Sequence, residues 1–273
     1  MKENIVLLFG GKSHEHAISN VSAWSVYEAL VSCGYRVRCI AVTMDQAWYI
    51  QDPPRSRYLA TAGSEAFTIR ESEEHRITIV PGKGLYWGGE AVEADYIFPV
   101  MHGAYGEDGR TQALLDMLPY PYIGANSEVS AACFHKSIAK AIMMRAGIPV
   151  APWFAIENLF CAAKDSSIDL LAREADRRIA KELGYPVFIK PENSGSSIGI
   201  SCVESSAQLP AALHEVSSLS DRALIEQQIT GREIEYSIVG YPGSFLVTPP
   251  GEIVPCNRFY DFNAKYREDR IRN

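Results

Sequence analysis

Residues 4–42 run NIVLLFGGKSHEHAISNVSAWSVYEALVSCGYRVRCIAV, and this stretch decides the fold. Ile5 to Phe9 is an unbroken apolar run closed by Gly10-Gly11, with Glu3 just before it. So short a run ending in a turn is a buried strand, since an export signal or a membrane span needs a longer apolar core. Gly10 to Ser13 form a turn, after which Ile18, Val21, Trp24, Tyr27 and Val31 recur at helical spacing, with Gly34 as the stop. Arg36 to Val42 alternates like a second strand. Strand, helix and strand in that order make a βαβ unit, the usual opening of a parallel α/β sheet.

The whole chain suits that class. Its 273 residues correspond to about two domains of ordinary size. With 47% hydrophobic and 22% charged residues it falls outside the disordered and fibrous ranges. Twenty-six basic against 33 acidic side chains leave a net charge of −7, which gives no global electrostatic case for nucleic acid or an anionic membrane. Any anion must therefore meet a local site. The six cysteines, at 33, 39, 133, 161, 202 and 256, include no CxxC pair and no zinc-spaced His partner. Three disulfides would suit a secreted chain, but without an export signal the expectation is reduced, mostly buried thiols in the cytoplasm.

Further along, Tyr96 to Val100 reads as a strand, and Thr111 to Leu118 as a short helix ended by Pro119 and Pro121. Asn126 or Ser127 caps a helix expected to run to Ala146, and Ala151 to Glu157 reads as a connector into a second unit. There the expected order is helix 168–183, strand 187–190, a Gly/Ser loop, strand 199–203, helix 208–219 and strand 223–227, with mostly strands from Glu233 onward. The stretch from 43 to about 90 reads as variable and turn-rich.

Five segments carry the chemistry. GGKSHE, residues 10–15, sets a glycine turn before a helix N-terminus, a place that favours anions. Its spacing is not GxGxxG, and Glu15 there either favours the helix N-terminus or holds a substrate ammonium. HGAYGEDG, residues 102–109, follows a strand and gathers His102, two acids and three glycines where open α/β sheets bind ligands. FIKPENSGSSIG, residues 188–199, ends a strand in Lys190 and enters a loop whose amides and hydroxyls at Gly195 to Ser197 suit phosphate oxygens. EQQITGRE, residues 226–233, offers two carboxylates for an amine and sugar hydroxyls. FYDFNAKY, residues 259–266, mixes aromatic and charged side chains in a loop.

In order, these segments resemble the D-alanyl-D-alanine ligases of the ATP-grasp superfamily, including the vancomycin-resistance relatives that join D-alanine to D-serine or D-lactate. The resemblance spans residue 5 to about 267. It implies a parallel α/β substrate domain over 1–125, a central ATP-grasp subdomain over 126–225 and the start of a C-terminal one over 226–273. By motif match Glu15 would hold the ammonium of the first D-alanine, with Ser196 and Tyr266 closing the site, while His102 and Glu107 line or brace the pocket. Lys136 and Lys190 would contact ATP phosphates, Gly195, Ser196, Ser197 and Gly199 would cover them, Glu226 and Glu233 would hold adenine and ribose, and Lys265 would reach the terminal phosphate.

The chemistry so implied serves peptidoglycan synthesis, with ATP and magnesium, or manganese in its place, as the required groups. ATP phosphorylates the first D-alanine, and the second amine attacks the acyl phosphate. Lys136 follows Phe134-His135 where the family more often has Met-Asp, and Ala113 stands where Gly is usual. The chain stops in the polar run Arg267 to Asn273, before the family's metal-binding Asp, Glu and Asn and the Arg for the tetrahedral intermediate. The expectation is thus a truncated ligase that does not turn over alone, with no metal ligands in this chain. Tyr266 favours an amino-acid acceptor over D-lactate, D-serine stays as the alternative to D-alanine, and a homodimer follows from the relatives. A silent nucleotide-binding module is the rival.

Overall fold

The computed structural model describes residues 3–52, 67, 69–164, 167–241 and 243–254. The chain divides into two compact units, Met1–Gly147 with Asn193–Gly195, and Ile148–Glu192 with Ser196–Asn273.

In the first unit β1 (Asn4–Gly10), α1 (His16–Ser32) and β2 (Arg36–Val42) form the expected βαβ unit. β3 (Trp48–Gln51) follows, then β4 (Ile77–Val80), β5 (Gly84–Trp87) and β6 (Glu90–Ala91), which pair as a separate antiparallel sheet. β7 (Tyr96–Met101) returns to the main sheet, whose order is β3-β2-β1-β7. β1 runs parallel to both neighbours, with Gly10 opposite Val42 on one side and Met101 on the other, while β3 is antiparallel to β2. The stretch expected to be turns therefore holds four short strands, each too brief for a periodic signal.

β1 is apolar from Ile5 to Phe9 because both its faces are covered there. Val6 and Leu8 pack with Ile40, Val42, Trp48, Ile97 and Leu115, whereas Leu7 and Phe9 pack with Ala23 and Trp24 of α1, Ala41 and Phe67. Alternate side chains of one strand thus seed two cores. At its end Gly10 has φ +90, and a Cβ there would lie 2.3 Å from the Val42 carbonyl oxygen. No other residue fits where the chain leaves the sheet for α1.

α2 (Arg110–Asp116), α3 (Ser127–Phe134) and α4 (Lys136–Arg145) complete the unit. Asn126 caps α3 by accepting from the Val129 N–H at 2.9 Å. The single helix expected to reach Ala146 is instead broken at His135, whose φ −83 and ψ 104 are extended. No glycine or proline marks the break, and it makes Lys136 the first residue of a new helix.

The second unit begins with β8 (Trp153–Ile156), so the presumed connector carries a strand paired antiparallel to β11. α5 (Leu159–Lys164), α6 (Ile168–Glu182), β9 (Val187–Pro191), β10 (Ser201–Val203), α7 (Leu209–Ser217) and β11 (Ala223–Gln227) follow. The sheet order is β10-β9-β11-β8, all antiparallel. α6 buries Ile168, Ala172, Ala175 and Ile179, and α7 buries Leu209, Ala212, Leu213 and Val216, each at helical spacing against this sheet. β12 (Glu233–Glu235), β13 (Ile238–Tyr241), β14 (Ser244–Val247) and β15 (Gly251–Ile253) pair as β12 with β15 and β13 with β14.

Among the described residues the cysteines form no disulfide, but only Cys39 is buried. Cys33, Cys133 and Cys161 are exposed and Cys202 is intermediate, which corrects the expectation of mostly buried thiols, and Cys256 lies outside the described residues. Among the described residues no helix is long and apolar enough to cross a membrane.

Candidate active site

In the first unit the loops after β1 and β7 meet at the carboxyl edge of the parallel strands, where the chain connects from β1 to β2 on one side and reaches β7 on the other. Such a switch point leaves a crevice. Glu15, the residue before α1, is buried at 4% exposure. Ser13 organises it: its hydroxyl accepts from the Glu15 N–H at 3.1 Å and donates to the His102 carbonyl at 2.7 Å. His16 adds a ring contact at 2.8 Å to the Gly11 carbonyl. One side chain thus ties both loops together.

The Glu15 carboxylate is bordered by glycines. A Cβ on Gly103, at φ +72, would stand 2.5 Å from Glu15 Oε2, and one on Gly195 would stand 3.7 Å from both Glu15 Oε2 and Glu107 Oε2. Any larger residue at Gly103 would displace the acid. The His102 ring has Nε2 2.9 Å from Ser22 Oγ and Nδ1 3.8 Å from Glu107 Oε1. Glu107 is half-exposed, whereas Asp108 turns inward, accepting from the Tyr105 N–H at 2.8 Å and pairing with Arg110 at 2.9 Å. The Gln112 amide donates to the Gly106 carbonyl at 2.7 Å and braces the same turn. Three of the predicted site residues, Glu15, His102 and Glu107, and the glycine Gly195 are therefore brought together.

Lys136, set at the start of α4 by the break at His135, donates to the Ser194 carbonyl at 2.5 Å. In the second unit Lys190 on β9 forms an ion pair with Glu226 on β11. Lys190 faces Leu224 across the ladder and Glu226 faces Phe188, so the pair is a diagonal on one face of the sheet. The side chains are 25% and 11% exposed, and the Lys190 ammonium also sits 5.6 Å from the Phe188 ring centre. Sequence reasoning assigned the two charges to different parts of one ligand and missed their mutual contact, because residues 36 apart are joined only by the strand register.

The loop beyond β9 departs from ordinary backbone geometry. Ser196 and Ser197, neither a glycine, have φ 49 and 58, and Gly199 has φ 70. Left-handed conformations at non-glycine residues cost on the order of 1 kcal/mol each, and such strain collects at ligand-binding loops. Glu233 is exposed on β12. Lys265 and Tyr266 lie outside the described residues. The residues that sequence reasoning missed are Ser13 and Ser22, small polar side chains whose partners are 80 or more positions away.

Comparison with known proteins bears on the same segments. The family profile described as D-ala D-ala ligase N-terminus matches residues 4–125, and that described as D-ala D-ala ligase C-terminus matches 142–273. The D-alanine–D-alanine ligase of Treponema pallidum is 35% identical over 98% of this chain and 66% of its own length, and that of Thermoanaerobacter pseudethanolicus is 36% identical over 97% and 71%. This chain thus spans about two thirds of those relatives. Among solved structures, the VanG D-Ala:D-Ser ligase from Enterococcus faecalis superposes with a TM-score of 0.76 at 25% identity, covering 96% of this chain and 72% of the other. The D-alanine-D-alanine ligase from Coxiella burnetii gives 0.73 at 29% identity, covering 93% and 71%. With a parallel α/β unit, a second unit built on an antiparallel sheet and both profiles in order, this chain belongs to the D-alanine–D-alanine ligase family.

Proposed function

We propose that the protein joins two D-alanines into D-alanyl-D-alanine at the expense of ATP, for peptidoglycan precursor synthesis in the cytoplasm. The observation that carries this is the buried Glu15 carboxylate at the switch point, bordered by Gly103 and Gly195 and accompanied by His102 and Glu107. A carboxylate held there suits a small ammonium, and glycine neighbours leave room for the rest of an alanine.

In this reading Glu15 binds the ammonium of the first D-alanine, Ser196 and Tyr266 close over it, and His102 and Glu107 line the pocket. Lys136 and Lys190 meet ATP phosphates, Gly195 to Gly199 wrap them, Glu226 and Glu233 take adenine and ribose, and Lys265 reaches the terminal phosphate. A carboxylate is a poor electrophile, so its oxygen first takes the γ-phosphoryl group as ADP leaves. The second amine then attacks the acyl carbon and phosphate departs. Such transfers depend on positioning and charge neutralisation more than on a protein nucleophile. Magnesium would add neutralising charge when bound. Among the described residues no group of three His, Cys, Asp or Glu side chains converges as a ligand set, so no residue here is assigned to it. The finer division into 1–125, 126–225 and 226–273, and a homodimer, belong to the same proposal.

The test is calorimetric titration of D-alanine into the ADP-saturated chain. Glu15→Gln should weaken D-alanine binding at least tenfold, the loss of one charge-assisted hydrogen bond of about 1.5–3 kcal/mol, and leave ADP affinity unchanged. A variant defective mainly in ADP affinity overturns the role of Glu15. ADP binding with no response to D-alanine supports the silent module instead, and tighter binding of D-serine moves the substrate assignment to that amino acid.

A further inference from the structure

α1 presents two serines to the end of β7. Ser19 Oγ accepts from the Gly10 N–H at 2.7 Å and donates to the Val100 carbonyl, joining the ends of β1 and β7. One turn later Ser22 Oγ lies 2.9 Å from His102 Nε2. Residues 19 and 22 share a helix face, and their partners are two apart along the chain, so the second contact extends the first as another rung. Ser19 meets main chain only, whereas Ser22 meets the imidazole of the candidate site.

The chemistry of the three groups sets the direction of the hydrogen bond. A neutral imidazole has one N–H and one bare nitrogen, an ionised carboxylate can only accept, and a hydroxyl can do either. The Glu107 carboxylate, with Oε1 3.8 Å from Nδ1, is too far for a hydrogen bond, but its negative charge favours the proton on that nearer nitrogen, which leaves Nε2 to accept from the Ser22 hydroxyl. Nδ1–H is the minority form of a neutral histidine side chain in water, so an unsupported ring would not favour it. Serine within a helix otherwise tends to bond back to the carbonyl one turn earlier. We propose that Ser22 is a positioning residue for His102, holding its ring in the Nδ1–H form and in a fixed orientation beside Glu107 and Glu15. Its consequence for substrate rests on the D-alanine assignment above, since only then does the ring orientation bear on ligand affinity.

The test is nitrogen-15 NMR of the histidine-labelled full chain at about pH 8.5, well above the ordinary histidine pKa, with the His102 signals assigned by their loss in His102→Gln. The parent chain should show a pyrrole-type Nδ1 and a pyridine-type Nε2. Ser22→Ala should transfer population to the Nε2–H form, and Ser22→Thr, which keeps the hydroxyl, should retain the parent pattern. In parallel, Ser22→Ala should weaken D-alanine binding about fivefold, the effect of one neutral hydrogen bond, and Ser22→Thr should restore it. Identical His102 signals in the parent and Ser22→Ala overturn the proposal. If the signals shift as expected but the parent binds no D-alanine, the positioning role stands and the substrate assignment falls.

Discussion

The contact between Lys190 and Glu226 sets a quantitative expectation. Both side chains are less than one third exposed, and they meet across neighbouring strands of the second unit's sheet. Removing either charge takes an ion-pair partner from the other, a cost that reaches 3–5 kcal/mol for a fully buried pair and should be about 2 kcal/mol for one that retains some solvent. Lys190→Met and Glu226→Gln should each destabilise by about 2 kcal/mol, while the double variant costs about 2 kcal/mol less than the sum. The assay is native-state hydrogen exchange of amides on β9 and β11, which reads this sheet without mixing in the first unit. Raising the salt concentration should change the coupling little, because a partly buried pair is only weakly screened. Additivity within about 0.5 kcal/mol would refute the reasoning. The result also governs how a loss of nucleotide binding in Lys190→Ala is understood, since part of it would come from Glu226 losing this ion-pair partner, and Lys190→Arg separates charge from shape.

Burial pushes the Cys39 thiol up to about 12, with the nearby Arg38 opposing. This raised value favours the folded state at pH below the ordinary thiol range near 8.5, and the contribution is lost as pH rises from there toward 12. Iodoacetamide at pH 8 should accordingly label Cys33, Cys133 and Cys161 in the native chain and spare Cys39 until denaturant is added; early labelling of Cys39 by peptide mapping would contradict the packing. The Ser127 hydroxyl, and then that of Tyr122, hold the Asp116 carboxyl below the usual carboxylate range, each at 2.7 Å. A depressed value stabilises the fold above about pH 4 and the benefit disappears as pH falls through the folded-state value. Ser127→Ala should raise the Asp116 midpoint in a carbon-13 NMR titration, and an unchanged midpoint would remove the serine from that account.

The strand and helix of residues 4–42 could be read directly because each is long enough to show its period and is bounded by glycine. β8 could not, since WFAI has only four residues, too few to show a period, and its strand character comes from pairing with β11. The break at His135 has no breaker residue and was invisible for that reason. His102, Glu107 and Lys190 were identifiable as chemistry-bearing types at or just after strand ends, and Glu15 as one at a helix N-terminus. Ser13 and Ser22 were not, because a serine is common anywhere and its role depends on what faces it.

Sequence alone thus determined the βαβ opening, the order of the motifs and the residue types at the candidate site, because apolar periodicity and glycine turns are local properties of the chain. Tertiary structure decided that Glu15 lies against Gly103, that Ser22 meets His102 and that Lys190 is neutralised by Glu226. These are contacts between residues 36 to 88 positions apart. Their geometry depends on strand register and helix packing, which no local stretch of sequence contains.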